Sequence, residues 1–273
     1  MTESFEEIKL VASDMDGTLL NDQGKLPKQL GSYMDDLQDQ GIIFGIASGK
    51  PYYALEAVFK DRIKEMALVC SGGTFVSYQE ETVYNSTISK AGYRNLVRLI
   101  KKASKGIPAL IANDKAYFDY QAKPYYDDFS DYIKIEFVED LSQVEAEVNK
   151  VTAYFPDYDN KDYLKEYQEQ ISGPYTVMPS GAKWIDITME GQSKGHGLEK
   201  LLEKLNYSPR ELVVIGDSGN DTEMLSLTPH SFAMKNATDQ VKSYANYTTS
   251  QSNNDQGVLE VYKKVLAAKN ESK

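Results

Sequence analysis

Near both ends of the chain, short runs of consecutive apolar residues alternate with segments of helical period. Residues 8–12, Ile-Lys-Leu-Val-Ala, read as a buried strand. Pro27 opens a helical segment that runs through Gln40, and Gly41 is placed to end it. Residues 41–47 form a second apolar strand, 52–60 a helix, and 67–70 a third strand. Strands without alternation, joined by helices, predict a parallel sheet covered on both faces. The rhythm resumes late in the chain: a helix over 194–205, a strand over 211–215, and a short helix over 221–227. A strand over 231–234, a helix over 239–245 and an amphipathic helix over 257–269 follow.

Between these segments the pattern changes. Residues 74–78 and 82–84 flank Gln79-Glu80-Glu81 and predict a hairpin. Residues 91–104 show the helical period, with Leu96, Val97, Leu99 and Ile100 apolar and basic residues between them. Beyond it come short strands over 109–111, 133–138, 151–155, 175–178 and 183–188, with helices near 141–150 and 161–171. This mixture is α+β. It predicts a doubly wound α/β core made of residues 1–84 and 191–273, with a separate α+β domain over 85–190 inserted into it. Most aromatic residues fall in the insert, among them Tyr117, Tyr120, Tyr125, Tyr126, Tyr132, Tyr158, Tyr163 and Tyr167. Packing within a small domain is the default reading for them, with substrate stacking the alternative.

Composition narrows the function. In 273 residues, 41% are hydrophobic and 26% charged, the profile of a folded globular protein with room for two domains. Thirty Lys and Arg against 41 Asp and Glu give a net charge of -11, which argues against nucleic acid or an anionic membrane as the main partner. The one cysteine, Cys70, lies in an apolar run and cannot form an internal disulfide, which fits a reducing, cytoplasmic setting. The acidic residues 1–7 lack the pattern of a secretory signal, and no apolar run is long enough to span a bilayer. A monomer is the default expectation.

Four polar clusters follow core strands or begin a helix. Asp14 and Asp16, with Gly17 to turn the chain, follow the first strand; Ser48-Gly49 follows the second. Lys194 starts a helix, and Gly216-Asp217-Ser218-Gly219-Asn220-Asp221 follows Ile215. Taken alone, Asp14 and Asp16 are equally an ordinary acidic turn. Together the clusters can converge at one edge of a parallel sheet, where such folds bind ligands. Grouped carboxylates suit Mg²⁺ completed by phosphate oxygens; a hydroxyl and amides at a helix start, with a lysine, suit phosphate.

Residues 14–19, Asp-Met-Asp-Gly-Thr-Leu, resemble the first motif of the haloacid dehalogenase-like hydrolases. Ser48 resembles the second, Lys194-Gly195 the third, and residues 216–221 the fourth, in matching order. The insert resembles the α/β cap of the Cof-type phosphatases, as do Met234-Lys235-Asn236-Ala237 and residues 254–258, Asn-Asp-Gln-Gly-Val. The resemblance implies a Mg²⁺-dependent phosphatase of small phosphorylated metabolites, such as sugar phosphates or cofactors. In it Asp14 is the nucleophile and Asp16 the general acid and base. Asp14, the carbonyl of Asp16 and Asp217 hold the metal; Met15, Ser48, Gly49, Lys194 and Asn220 hold phosphate; Asp221 supports them. The second motif reads Ser48-Gly49-Lys50 where the subgroup more often has Thr-Gly-Arg, and the loop after the third strand reads Ser71-Gly72-Gly73 where Asn-Gly-Ala is usual. The second change leaves a substrate role at Ser71 open. The alternatives are a phosphosugar mutase of the same superfamily and a noncatalytic phosphometabolite-binding protein.

Other conspicuous residues have plainer readings. His196 and His230 lack partners at metal-ligand spacing, so zinc is not expected. Core packing is the default for Trp184, with a substrate-facing role the alternative; Lys123, Tyr125 and Tyr126 are candidates for a substrate-facing loop.

Overall fold

A computed structural model describes residues 5–103, 105–129 and 134–271. Residues 1–4 of the acidic N-terminal stretch, Ser104 at the end of an expected helix, Tyr132, and Ile133 at the start of an expected strand lie outside the described residues. The chain divides into two compact units, one of residues 1–49, 61–84 and 193–273, the other of 50–60 and 85–192.

The first unit begins with β1 (Leu10–Ser13), α1 (Leu30–Asp39) and β2 (Ile43–Ala47). Helix α2 (Tyr52–Phe59) belongs to the second unit. The chain then returns for β3 (Ala67–Cys70) and the hairpin of β4 (Phe75–Tyr78) and β5 (Glu81–Asn85). Gln79 and Glu80 both take positive φ in its two-residue turn, the conformation that matches strand twist.

The second unit continues with α3 (Lys90–Lys102), β6 (Ile107–Ala112), β7 (Ala116–Asp119), β8 (Ile135–Val138) and β9 (Val148–Tyr154). It closes with α4 (Lys161–Gln170), β10 (Tyr175–Ser180) and β11 (Trp184–Met189). Its six-stranded sheet has the order β10-β11-β9-β6-β7-β8, antiparallel except for β7 with β8. Leu96, Val97 and Ile100 of α3 pack with Leu110, Val151, Ala153, Ile185 and Ile187 in one core of this unit. Tyr53 and Ala54 of α2 join Ala109, Phe118, Phe129 and Tyr154 in another.

The helix expected over 141–150 does not form. Residues Leu141–Gln143 make a single 3₁₀ turn, and every residue of β9 is buried in the sheet. The polar side chains of that strand find partners among the described residues, with Asn149 Oδ1 alone of their amide and ammonium groups left without one. Asn149 donates to Asn85 Oδ1 and the Ser86 carbonyl, Lys150 pairs with Asp186 at 2.7 Å, and Thr152 donates to the Ile185 carbonyl. These partners come from distant parts of the chain, so local helical preference gives way to cross-strand satisfaction. Strand β7 and the 3₁₀ stretch Tyr120–Phe129 were likewise without a periodic signal.

The first unit resumes with α5 (Lys194–Leu205), β12 (Leu212–Gly216), α6 (Thr222–Leu227), β13 (His230–Ala233), α7 (Asp239–Lys242), β14 (Tyr247–Thr248) and α8 (Val258–Glu271). Its eight-stranded sheet has the order β14-β13-β12-β1-β2-β3-β4-β5. The strands from β14 to β3 are parallel, and β4 runs antiparallel to β3. The protein is therefore of the α/β class, with a parallel sheet in the core of the first unit and a separate sheet in the second. Ser13 of β1 is in register with Ile215 on one side and Ile46 on the other. The connections leave β1 in opposite directions on these two sides, so its C-terminal end is the topological switch point where open α/β sheets bind ligands. Among the described residues, no helix is long and apolar enough to cross a membrane.

Candidate active site

The switch point gathers most of the charged residues singled out from the sequence. Strand β1 hands over to Asp14, whose backbone is still held to the sheet by donation to the Ile215 carbonyl at 2.9 Å. Asp14 is only 4% exposed. Met15 is buried, and its carbonyl accepts from the amides of Thr18 and Leu20, folding residues 15–20 into a tight turn. Gly17 takes φ +79° in this turn. Asp16 is exposed and pairs through its backbone with Leu20.

Lys194 enters from the first turn of α5. Ser193 caps that helix by accepting from the His196 amide and donates to the Glu223 carboxylate. Two glycines bring the helix close to its neighbours: a Cβ on Gly197 would lie 2.5 Å from Val69, and one on Gly195 2.9 Å from Glu223. The buried Lys194 ammonium then reaches Asp14 Oδ1 at 2.6 Å and Asp221 Oδ1 at 2.7 Å, with Asn220 Oδ1 at 3.4 Å. Burial alone would lower its pKa, but Asp14 and Asp221 outweigh it and raise the pKa, so the lysine stays charged.

Asp217 and Asp221 share one loop but have different surroundings. The second oxygen of Asp221 accepts from the amides of Asp217 and Ser218, both at 3.0 Å. Its carboxylate is thus occupied by Lys194 on one side and by its own loop on the other. Asp217 is held from across the sheet, since the Thr18 hydroxyl donates to its Oδ1 at 2.7 Å. Its other oxygen rests on the backbone of Gly17, where an added Cβ would lie at only 2.4 Å. Gly17 is therefore required twice, by its φ and by this contact.

Carboxylate oxygens of Asp14, Asp217 and Asp221 lie within 4.8 Å of one another. Three carboxylates face one ammonium, an excess of two negative charges in a buried place. Burial, reinforced by Asp221 and Asp217 and opposed by Lys194, raises the Asp14 pKa to about 8; burial also raises that of Asp217 to about 6. A divalent cation would balance the excess and restore both carboxylates to the ionised form. All-oxygen donors are the chemistry that Mg²⁺ selects. The residues present therefore fit a hard divalent cation, with Asp14 and Asp217 as the carboxylates placed to hold it.

Ser48 follows β2, the strand next to β1, and is buried; its amide donates to the Val69 carbonyl. Its own carbonyl accepts from the Gly72 amide, which ties it to the loop after β3. Gly49 has open space around its Cα. In that loop Ser71 takes φ +48°, and its hydroxyl is buried with no hydrogen-bond partner. Asn220 accepts from the Ser218 hydroxyl at 2.6 Å. Lys50, Lys123, Tyr125, Tyr126 and Trp184 belong to the second unit. There the Lys123 ammonium sits over the Tyr120 ring, and Trp184 packs 4.4 Å from the Tyr154 ring and 5.6 Å from that of Phe129. Cys70 is buried, and burial raises its thiol pKa, so it carries no thiolate chemistry.

The sequence pattern gave no role to Thr18, Asn236 or Asn253. Thr18 sits inside a quoted motif, but its partner is 199 positions away. Asn236 donates to the Gly17 carbonyl at 2.8 Å and Asn253 to the Leu20 carbonyl at 3.0 Å, contacts that no local pattern encodes.

Known proteins resemble this chain over almost its whole length. Residues 11–261 match the haloacid dehalogenase-like hydrolase family. The 5-amino-6-(5-phospho-D-ribitylamino)uracil phosphatase YbjI of Escherichia coli is 33% identical over 95% of this chain and 96% of that protein. A Bacillus subtilis protein of the same described activity, YitU, is 26% identical over 94% of this chain and 97% of its own length. The crystal structure of a Streptococcus mutans protein superposes with a TM-score of 0.86 at 29% identity, over 95% of this chain and 99% of that one. A haloacid dehalogenase-like hydrolase from Bacteroides thetaiotaomicron shares the fold, with a TM-score of 0.85 at 23% identity over 94% and 99% of the two chains. With the family matched from the first strand to the last helix, and a full-length relative a third identical, the chain belongs to the haloacid dehalogenase-like hydrolases.

Proposed function

We propose that the protein is a Mg²⁺-dependent phosphomonoesterase that works through an aspartyl-phosphate on Asp14. The observation that carries this reading is the buried Lys194 ammonium, shared between Asp14 at 2.6 Å and Asp221 at 2.7 Å beside Asp217. A carboxylate held in place by a fixed cation, at the end of a central strand, is a positioned nucleophile.

An Asp14 carboxylate oxygen attacks phosphorus as the bond from phosphorus to the leaving oxygen breaks, and the leaving alkoxide takes its proton from Asp16. Asp16 is exposed, as a group that exchanges protons with water requires. In the second step Asp16 takes a proton from water, the water oxygen attacks phosphorus, and inorganic phosphate leaves with Asp14 regenerated. Ser48, Asn220, Lys194 and the amides of Met15 and Gly49 bind the phosphoryl oxygens. Asp221, pinned by two backbone amides, fixes where Lys194 points. Asp14, the Asp16 carbonyl and Asp217 would hold Mg²⁺, which supplies charge stabilisation for the phosphoryl group.

The inserted domain, residues 85–190, selects the substrate in this reading. Candidate substrates are small phosphorylated metabolites, sugar phosphates or phosphorylated cofactors. The relatives named above place 5-amino-6-(5-phospho-D-ribitylamino)uracil first among those to assay.

The test is release of inorganic phosphate from p-nitrophenyl phosphate and from a panel of sugar phosphates, nucleotides, pyridoxal phosphate, flavin mononucleotide and the ribitylaminouracil phosphate. Turnover should require Mg²⁺, stop with chelator and vanish in Asp14→Asn. Persisting turnover in that variant would rule out the covalent route. Conversion of a sugar phosphate to its isomer without phosphate release would identify a mutase, and tight binding without turnover a sensor.

A further inference from the structure

Three asparagines and one aspartate, none of them in the set just described, form a clasp on the turn that carries Asp16, Gly17 and Thr18. Asn236 Nδ2 donates to the Gly17 carbonyl at 2.8 Å, and its Oδ1 accepts from the Asn253 amide at 3.1 Å. Asn253 Nδ2 donates to the Leu20 carbonyl and to Asp22 Oδ1, both at 3.0 Å. Asn254 closes the ring by accepting from the Asp22 amide at 3.0 Å and donating to Asp22 Oδ2 at 2.8 Å. The hydrogen bonds from Asn254 and Asn253 hold the Asp22 carboxylate below its ordinary pKa. Because Asn236 and Asn254 use both ends of their amides, their orientations are fixed by the network itself.

The local sequence builds this clasp deliberately. Asn253 opens a 3₁₀ turn, Asn253–Asp255, that closes through Gln256 at φ +61° and Gly257. A Cβ on Gly257 would lie 2.2 Å from the Gln251 carbonyl oxygen, so only glycine lets the turn fold back. Asn253 is 4% exposed and its amide reaches the turn from inside.

The turn it grips sets Asp217. The Asp217 carboxylate rests on Gly17 and accepts from Thr18, the residues on either side of the carbonyl that Asn236 holds. We propose that Asn236 and Asn253 are positioning residues that set the affinity of the Asp14–Asp217 pair for its divalent cation by fixing the backbone of residues 17–20. This role rests on the metal site proposed in the preceding subsection.

The experiment measures Mg²⁺ binding to the full-length protein by isothermal titration calorimetry, without substrate, for the wild type and Asn236→Ala, Asn236→Asp and Asn246→Ala. Urea midpoints in chelator are recorded for each. Asn246 is the control: it too holds distant groups of the first unit, the Ser231 hydroxyl in β13 and the Thr228 carbonyl, away from the turn. Both Asn236 variants should bind Mg²⁺ about tenfold more weakly, the equivalent of one lost hydrogen bond. For Asn236→Asp the sign is diagnostic. An added carboxylate favours a nearby cation by charge alone, whereas loss of the donor to Gly17 opposes binding. Asn246→Ala should lower the urea midpoint and leave Mg²⁺ affinity unchanged. Affinities of both Asn236 variants within twofold of wild type, tighter binding by Asn236→Asp, or equal weakening by Asn246→Ala would each overturn the role. A wild type that binds no Mg²⁺ would overturn the metal site and the clasp together, whereas wild-type binding with unaltered variants overturns the clasp alone.

Discussion

Gly17→Ala and Gly24→Ala form a matched pair that isolates the contact between the turn of residues 15–20 and Asp217. Both glycines have positive φ, +79° and +69°, so each alanine meets a similar backbone penalty of about 1–2 kcal/mol. Both also lose the same unfolded-state freedom. Their surroundings differ. An alanine Cβ at Gly24 meets nothing within 4 Å, whereas at Gly17 it falls 2.4 Å from Asp217 Oδ2 and 2.8 Å from its Cγ. Asp217 has to move, and its charge-assisted hydrogen bond from Thr18 breaks, which costs about 1.5–3 kcal/mol. Gly17→Ala should therefore be less stable than Gly24→Ala by about 1.5–3 kcal/mol. Urea denaturation in chelator, followed by far-ultraviolet circular dichroism, measures the difference. Tryptophan fluorescence does not serve here, because the single tryptophan, Trp184, belongs to the second unit. Calorimetry should show wild-type Mg²⁺ affinity for Gly24→Ala and loss of binding for Gly17→Ala. Equal stability losses, or undisturbed Mg²⁺ binding in Gly17→Ala, would show that Asp217 does not depend on this glycine.

Lys194→Met should destabilise the metal-free protein by about 3–5 kcal/mol, since it leaves Asp14 and Asp221 buried without their cation. That loss should shrink as pH falls. Burial already raises the Asp14 pKa to about 8 in the wild type, with Lys194 opposing the rise. Without the ammonium it rises further, so the variant takes up this proton at higher pH and the penalty is relieved as pH falls toward 8; a loss independent of pH between about 8 and about 10 would contradict this. In the second unit, Lys150→Met alone should cost a similar amount, and Lys150→Met with Asp186→Leu together much less, because the pair is buried and an apolar replacement removes both desolvation penalties. Trp184 fluorescence in urea reads that cycle, and additive losses would refute it.

The parallel core was legible because each central strand is a continuous apolar run closed by Gly, Ser or Asp, as at residues 8–14 and 212–217. The carboxylates and Lys194 were legible because they sit at the ends of those elements, where the topology must bring them together. What stayed hidden depends on partners distant in the chain. The start of β9, residues 148–150, looked helical because Lys150 and Asn149 are polar, and only Asp186 and Asn85 make them tolerable in a buried strand. Thr18 and Asn236 look like ordinary polar residues until Asp217 and Gly17 lie beside them. The two glycines at the start of α5 resemble helix weaknesses in sequence, yet they are the clearance that lets Lys194 approach Asp14.

The placement of α2 has a practical consequence for modular exchange. The chain passes between the two units at 49/50, 60/61, 84/85 and 192/193, so the second unit is assembled from two separate stretches of polypeptide. Tyr53 and Ala54 of the shorter stretch are buried among Ala109, Phe118 and Tyr154 of the longer one. A chimera that transplants residues 85–192 between relatives splits that aromatic core and pairs each half with a foreign complement. Swaps that carry residues 50–60 along with residues 85–192 keep the two halves matched.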